Sequence, residues 1–184
     1  MSNSSFFINS TRIWLETIII GYAICPFAKP ELESGGIRFY VDEAVDLESC
    51  LHNLVTECAR LDLDDGIATT LLIYSQGFAE FDDYLDFLGL AEALLVAQGY
   101  EGVYQLASFH PDYCFDQATP DDAANYTNRS PYPMLHLLRE SSIEAAVANH
   151  PDAKGIPRRN IKLTRQLGLS QMQAMLAACY QNNA

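Results

Sequence analysis

Apolar positions along the chain fall into runs of two periods, and those runs predict its elements. Ile13, Trp14, Thr17, Ile18 and Gly21 recur at helical spacing, predicting a helix over about residues 11–22, capped by Asn9 or Ser10. Gly21 and Pro26 end it, and residues 23–36 read as irregular. Ile37 to Val41 is a short β-type run. Asp46 caps a helix carrying Leu47, Leu51, Leu54, Val55, Cys58 and Leu61 on one stripe, closed by Gly66. Thr69 to Tyr74 is a near-continuous apolar run, as in a strand buried on both faces. A helix over about 80–98 and a strand over 103–109 follow. After a second irregular stretch, 110–129, Ser130 and Pro131 read as the cap and first position of a helix over 131–140. In that helix Met134, Leu135, Leu137 and Leu138 share one face, and His136, Arg139 and Glu140 share the other. Further helices are predicted over about 142–149, 160–167 and 170–181.

Strands separated by helices of this length predict an α/β domain with a small, mainly parallel sheet of three or four strands and helices packed around it. The sheet-forming part is expected over about residues 9–109, and a long loop and helical part over about 110–184. No boundary divides the 184 residues, so one domain is expected. The strand ends at Asp42-Glu43, Ser75-Gln76 and His110-Pro111-Asp112 then converge on the carboxyl edge, where open α/β sheets bind ligands.

Charge changes the picture at one end. The net charge of −13 argues against nucleic acid or an anionic membrane as partner. No Lys or Arg occurs between 61 and 128, whereas Arg129, Arg139, Lys154, Arg158, Arg159, Lys162 and Arg165 crowd the last third. That third either meets the acidic middle or holds an anion. Five scattered cysteines without a Cys-x-x-Cys pair fit reduced thiols in a cytoplasm. The apolar stretch 13–25, interrupted by Glu16, is too short to span a bilayer.

Candidate chemistry concentrates in the two long irregular segments, which exceed the usual loop length. His110 is a candidate general acid/base with Asp112 as its orienter, and Cys25 a candidate nucleophile or pocket wall. Arg129, Ser130, His136, Arg139 and Arg158 are candidate ligand-binding residues for a small anionic molecule, since Arg129 and Arg158 precede expected helix N-termini. The plain alternatives are a buried structural Cys25 and a solvated face at His136 and Arg139. His110, Cys114, Cys25 and His136 match no standard zinc spacing, so no metal is assigned, and no pattern names a cofactor. His-Pro-Asp occurs at His110 and again at His150, without the basic helix that precedes it in J-domains.

Cys25-Pro26-Phe27-Ala28, Phe109-His110-Pro111-Asp112-Tyr113, Asn125-Tyr126-Thr127-Asn128-Arg129-Ser130-Pro131-Tyr132-Pro133 and Met134 to Glu140 resemble a bacterial family known as domain of unknown function 1415. The resemblance spans about residues 9–167 and implies a bacterial intracellular protein. It implies no reaction. Two functions are therefore expected as alternatives: an enzyme acting on a small anionic metabolite, or a non-catalytic module that binds a metabolite or protein through the basic third.

Overall fold

β1 (Ile37–Asp42), β2 (Thr69–Tyr74), β3 (Tyr104–Phe109) and β4 (Met134–Arg139) form one mixed sheet in the spatial order β1-β2-β4-β3. The computed structural model describes residues 3–181. β1 and β2 are parallel neighbours, whereas β4 runs antiparallel between β2 and β3. Three strands therefore point one way, as the sequence predicts, and a returning fourth separates the last of them from its expected partner.

β4 replaces the helix expected over 131–140. Its apolar residues fit either period, because both faces of the strand are covered. Leu135 and Leu137 join the core on one side of the sheet, and Met134 joins the core on the other. The sheet-forming part thus extends to Arg139, and Ser130 caps no helix. Its buried hydroxyl instead donates to the Tyr132 carbonyl at 2.6 Å within the turn that leads into β4.

One sheet face packs against α3 (Leu47–Leu63) and α4 (Phe81–Ala97) through Leu54, Cys58, Leu61, Tyr84, Phe87 and Leu95. Asp46 caps α3 as expected, accepting from the Ser49 amide at 2.8 Å. The opposite face packs against α1 (Asn3–Trp14), its continuation as a π-helix over Leu15–Ile20, and the helices α6 (Ile156–Leu167) and α7 (Leu169–Gln181). Between β4 and α6, α5 (Glu140–Asn149) buries no residue. The first helix thus starts earlier than expected, and its last turns widen.

The stretch 23–36 is not irregular throughout, since α2 occupies Ala28–Ser34. Gly21 is not a left-handed cap: its φ is −57°, and any Cβ there would collide with the Thr17 carbonyl. Ala23 takes the left-handed conformation instead, at φ 51°. Arg159 and Asn160 at the start of α6 hold that turn, donating to the carbonyls of Tyr22, Ala23 and Ile24 at 3.0, 2.7 and 2.7 Å. Among the described residues, no helix is long and apolar enough to cross a membrane.

Tyr84, fully buried on α4, ties the inserted strand to its neighbour: its hydroxyl donates to the Met134 carbonyl at 2.7 Å and accepts from the Phe109 amide at 3.1 Å. Tyr84→Phe leaves both backbone groups unpaired in the interior. It should cost about 1–3 kcal/mol of unfolding free energy, measured by denaturant titration, with the fold retained.

Candidate functional site

His110 lies where the sequence puts it, just past β3, but its ring is fully buried and engaged at both nitrogens. The Asp112 amide donates to Nδ1 at 3.0 Å, so Nδ1 is the acceptor and Nε2 carries the proton. Nε2 then donates to the Phe78 carbonyl at 2.9 Å. Rings of Phe81 and Tyr84 pack beside it at 5.2 and 5.1 Å. Burial lowers its pKa, favouring the neutral ring that these bonds require. The second His-Pro-Asp repeats the turn, with the Asp152 amide donating to His150 Nδ1 at 3.1 Å. The tripeptide is thus a local fold device, in which Asp112 contributes its amide while its side chain is exposed.

Two of the candidate arginines, Arg129 and Arg139, are bound to the protein itself. Arg129 threads the long loop, donating to the carbonyls of Tyr113 and Pro120 at 3.0 Å each and to the Tyr126 hydroxyl at 3.2 Å. Trp14 Nε1 in turn donates to the Arg129 carbonyl at 2.9 Å. Arg139 closes the end of α3, donating to the carbonyls of Leu61 and Ile67 at 2.6 and 3.1 Å. Arg165 pairs with Asp122 at 2.6 Å, and that pairing holds the Asp122 carboxyl down at about 2. Arg158 is exposed on the first turn of α6. The basic third therefore does meet acidic and carbonyl groups of the earlier chain, largely one contact at a time.

Three of the candidates do meet. Cys25, His136 and Arg139 line the same cavity of about 330 Å³, set against the sheet face that carries α1 and its π-helix. The floor comes from Thr69 and Leu71 of β2, His136 and Leu138 of β4, and Ala107 and Phe109 of β3. Leu71, His136 and Ala107 are lateral neighbours in one row across the three strands. Trp14 at the end of α1, Leu15 and Ile19 from the widened helical turns, and Phe27 form the roof. Such π-helical turns occur often where a helix lines a functional site. Exposed Gln105 and Ser142, with Glu31 of α2, mark the rim.

His136 is the imidazole in the wall of a mostly apolar enclosure. Its Nε2 has neither accessible surface nor a hydrogen-bond partner, and burial drives its pKa from 6.5 down to about 4. The ring lies deep but keeps some accessible surface, which borders the cavity. At neutral pH it is an uncharged imidazole with an unmet hydrogen bond, a state that costs about 1–3 kcal/mol. Burial also raises the Cys25 pKa, outweighing the Phe27 and Ala28 amides that favour thiolate. The thiol is thus a neutral wall group. Asp42 Oδ2 and the Tyr74 hydroxyl at the carboxyl edge are also unpartnered, but neither lines this cavity. Among the described residues, no three His, Cys, Asp or Glu side chains are grouped to hold a metal ion.

The sequence reading selected His136 from a helical face; the strand delivers it to the cavity by alternation, between Met134 and Leu138. The wall residues Trp14, Phe27, Phe109 and Ile143 were missed. Period-two alternation in Met134-Leu135-His136-Leu137-Leu138 was the available signal, a lone imidazole on an apolar face.

The chain matches a family model described as a protein of unknown function (DUF1415) over residues 7–174. No curated protein and no solved structure matches it.

His110→Ala should cost about 2–4 kcal/mol in denaturant titration, because it opens a void and strands the Phe78 carbonyl and Asp112 amide. Buried His136 and His110, both with lowered pKa, make stability fall in mildly acidic solution, and His136 contributes the larger part. Its folded pKa of about 4 lies below the unfolded 6.5, so the unfolded state takes up protons first. Stability is complete above about pH 6.5 and falls by about 3 kcal/mol from this group as pH approaches 4. Melting temperatures across that window should decline, and replacing His136 should make the decline shallower.

Proposed function

We propose that this chain, which belongs to the DUF1415 family, binds a small, mostly apolar and uncharged molecule in the sheet-face cavity, with His136 as its hydrogen-bonding anchor. The observation that carries the reading is the His136 ring in the wall of a mostly apolar volume of about 330 Å³, its Nε2 unpartnered and without accessible surface, so that a turn of the ring is needed to present it to a ligand. Ligand sites combine a concave apolar lining with very few placed polar groups, and their volumes begin near this size. A ligand hydroxyl satisfies His136 in either tautomer, since a hydroxyl both donates and accepts.

Charge selects against an anion. Arg139, which borders the cavity, already donates to the carbonyls of Leu61 and Ile67, and Glu31 stands at the rim. A carboxylate moved into this lining would lose its hydration without gaining a free cation. The anion expected from the basic third therefore fits this cavity poorly. Entry on the α5 side is favoured, because α5 has no buried residue and little burial is lost when it moves.

The binding reading is preferred over an enzymatic one on chemical grounds. His110 is committed to two internal hydrogen bonds, and the Cys25 thiol is held in its neutral form by burial. What remains at the cavity is a weakly basic imidazole, suited to hold a hydroxyl or a carbonyl-bearing group rather than to generate a nucleophile.

His136→Leu separates binding from folding. It removes the unmet hydrogen bond, so the free protein should gain about 1–3 kcal/mol in denaturant titration. The same change should weaken 1-hexanol binding about tenfold in calorimetric titration, the loss of one buried hydrogen bond. A destabilised variant that still binds 1-hexanol normally would count against the reading.

A further inference from the structure

A second cavity of about 370 Å³ adjoins the first, and the two share Ile19, Cys25 and Phe109 in their walls. Those three side chains come from three separate features: the π-helical turn, the segment after the left-handed Ala23, and the end of β3. The second cavity extends between them towards Ile24, Phe115, Pro157 and Ile161. Its polar residues are already satisfied. Asn160 Nδ2 donates to the Ile24 carbonyl at 2.7 Å, and Asn128 Nδ2 to the Ser108 carbonyl at 3.1 Å. The Thr127 hydroxyl donates to the Ala124 carbonyl at 3.0 Å. The second cavity therefore offers apolar contact and no open polar partner, whereas the first holds His136, whose Nε2 is unpartnered.

We propose that the two cavities are one bipartite site for an unbranched aliphatic chain with an uncharged hydroxyl head, the head at His136 and the tail running past Cys25 into the second cavity. The inference rests on the binding reading above and adds the shape and class of the ligand. An unpartnered imidazole in one cavity, and mostly apolar walls that meet the second cavity at Ile19, Cys25 and Phe109, match a linear chain better than a compact ring system. The waist consists of the ends of side chains, Ile19, Cys25 and Phe109, which adjust by rotamer changes when a thin chain passes between them. Each methylene that reaches the second cavity adds apolar burial worth about fourfold in affinity. Cys25 serves here as a small, neutral waist residue, and no bond to its sulfur forms.

The test is calorimetric titration of the full chain with straight primary alcohols from 1-butanol to 1-decanol, with decanoate as the charged comparison. Wild-type affinity should climb by about fourfold per methylene across the series. Ile161→Trp fills the second cavity from a residue absent from the first, so it should leave 1-butanol binding unchanged and halt the climb at intermediate length. Cys25→Phe, which blocks the waist, should reproduce that break, and it serves as the independent check if Ile161→Trp misfolds. Decanoate should bind more weakly than 1-decanol at pH 8. Superimposable series for wild type and both variants overturn the bipartite site while leaving the His136 cavity intact. Failure of every alcohol, 1-butanol included, overturns both readings. Tighter binding of decanoate than of 1-decanol overturns the uncharged head.

Discussion

The insertion of β4 between β2 and β3 is the constraint on which the rest of the molecule depends. Without it, β2 and β3 have no shared partner, and the sheet order β1-β2-β4-β3 cannot form. The strand is short, and its flanks hold it from both sides. Tyr84 bonds the Met134 carbonyl at its start, and Arg139 at its end reaches across to the last turn of α3 and the segment before β2. The same insertion puts a titratable ring in the middle of a sheet face, where its Nε2 has no hydrogen-bond partner. Fold and candidate site therefore come from one placement, because the strand that completes the sheet also carries His136 to the cavity floor.

That placement has an energetic logic. An imidazole without a hydrogen-bond partner in an apolar setting works against stability, and its displaced pKa extends the cost into mildly acidic solution. Nearby polar groups are handled differently. His110, Asn125 and Asn160 are buried and each bonds the backbone of another segment. His136 stands apart from that local habit, and a buried polar atom left unmet beside open volume is where a ligand contributes most. Selection for binding and selection for stability pull against each other at such a position.

Much of the fold was legible because its elements obey one period each. The α3 cap at Asp46, the doubly buried β2 and the direction of β1, β2 and β3 followed from spacing and from Asp, Gly and Thr placement. β4 was not legible as a strand, since Met134, Leu135, Leu137 and Leu138 satisfy a helical stripe as well as a strand covered on both faces. Ser130 and Pro131, good helix-start residues, strengthened the wrong period. The actual turn uses Ser130 to bond the Tyr132 carbonyl, a local alternative open to any serine. The candidate site divided in the same way. Arg129 and Arg139 were conspicuous by charge, yet a guanidinium with five donors can be consumed by carbonyls that no sequence pattern reveals. Cys25 and His136, named for weaker reasons, share the cavity because a left-handed turn and a strand bring them to one side of the sheet.

The ring nitrogens of His136 report most directly on whether the unmet hydrogen bond is the binding anchor. Nitrogen-15 correlation spectra of histidine-labelled protein at pH 7 should show a neutral His136 imidazole that titrates only near pH 4. On adding 1-hexanol, a ring-nitrogen signal of His136 should shift while those of His110, locked to Phe78 and Asp112, stay in place. A His136 ring that titrates near pH 6.5, or one whose signals are unmoved at saturating alcohol, would contradict the account.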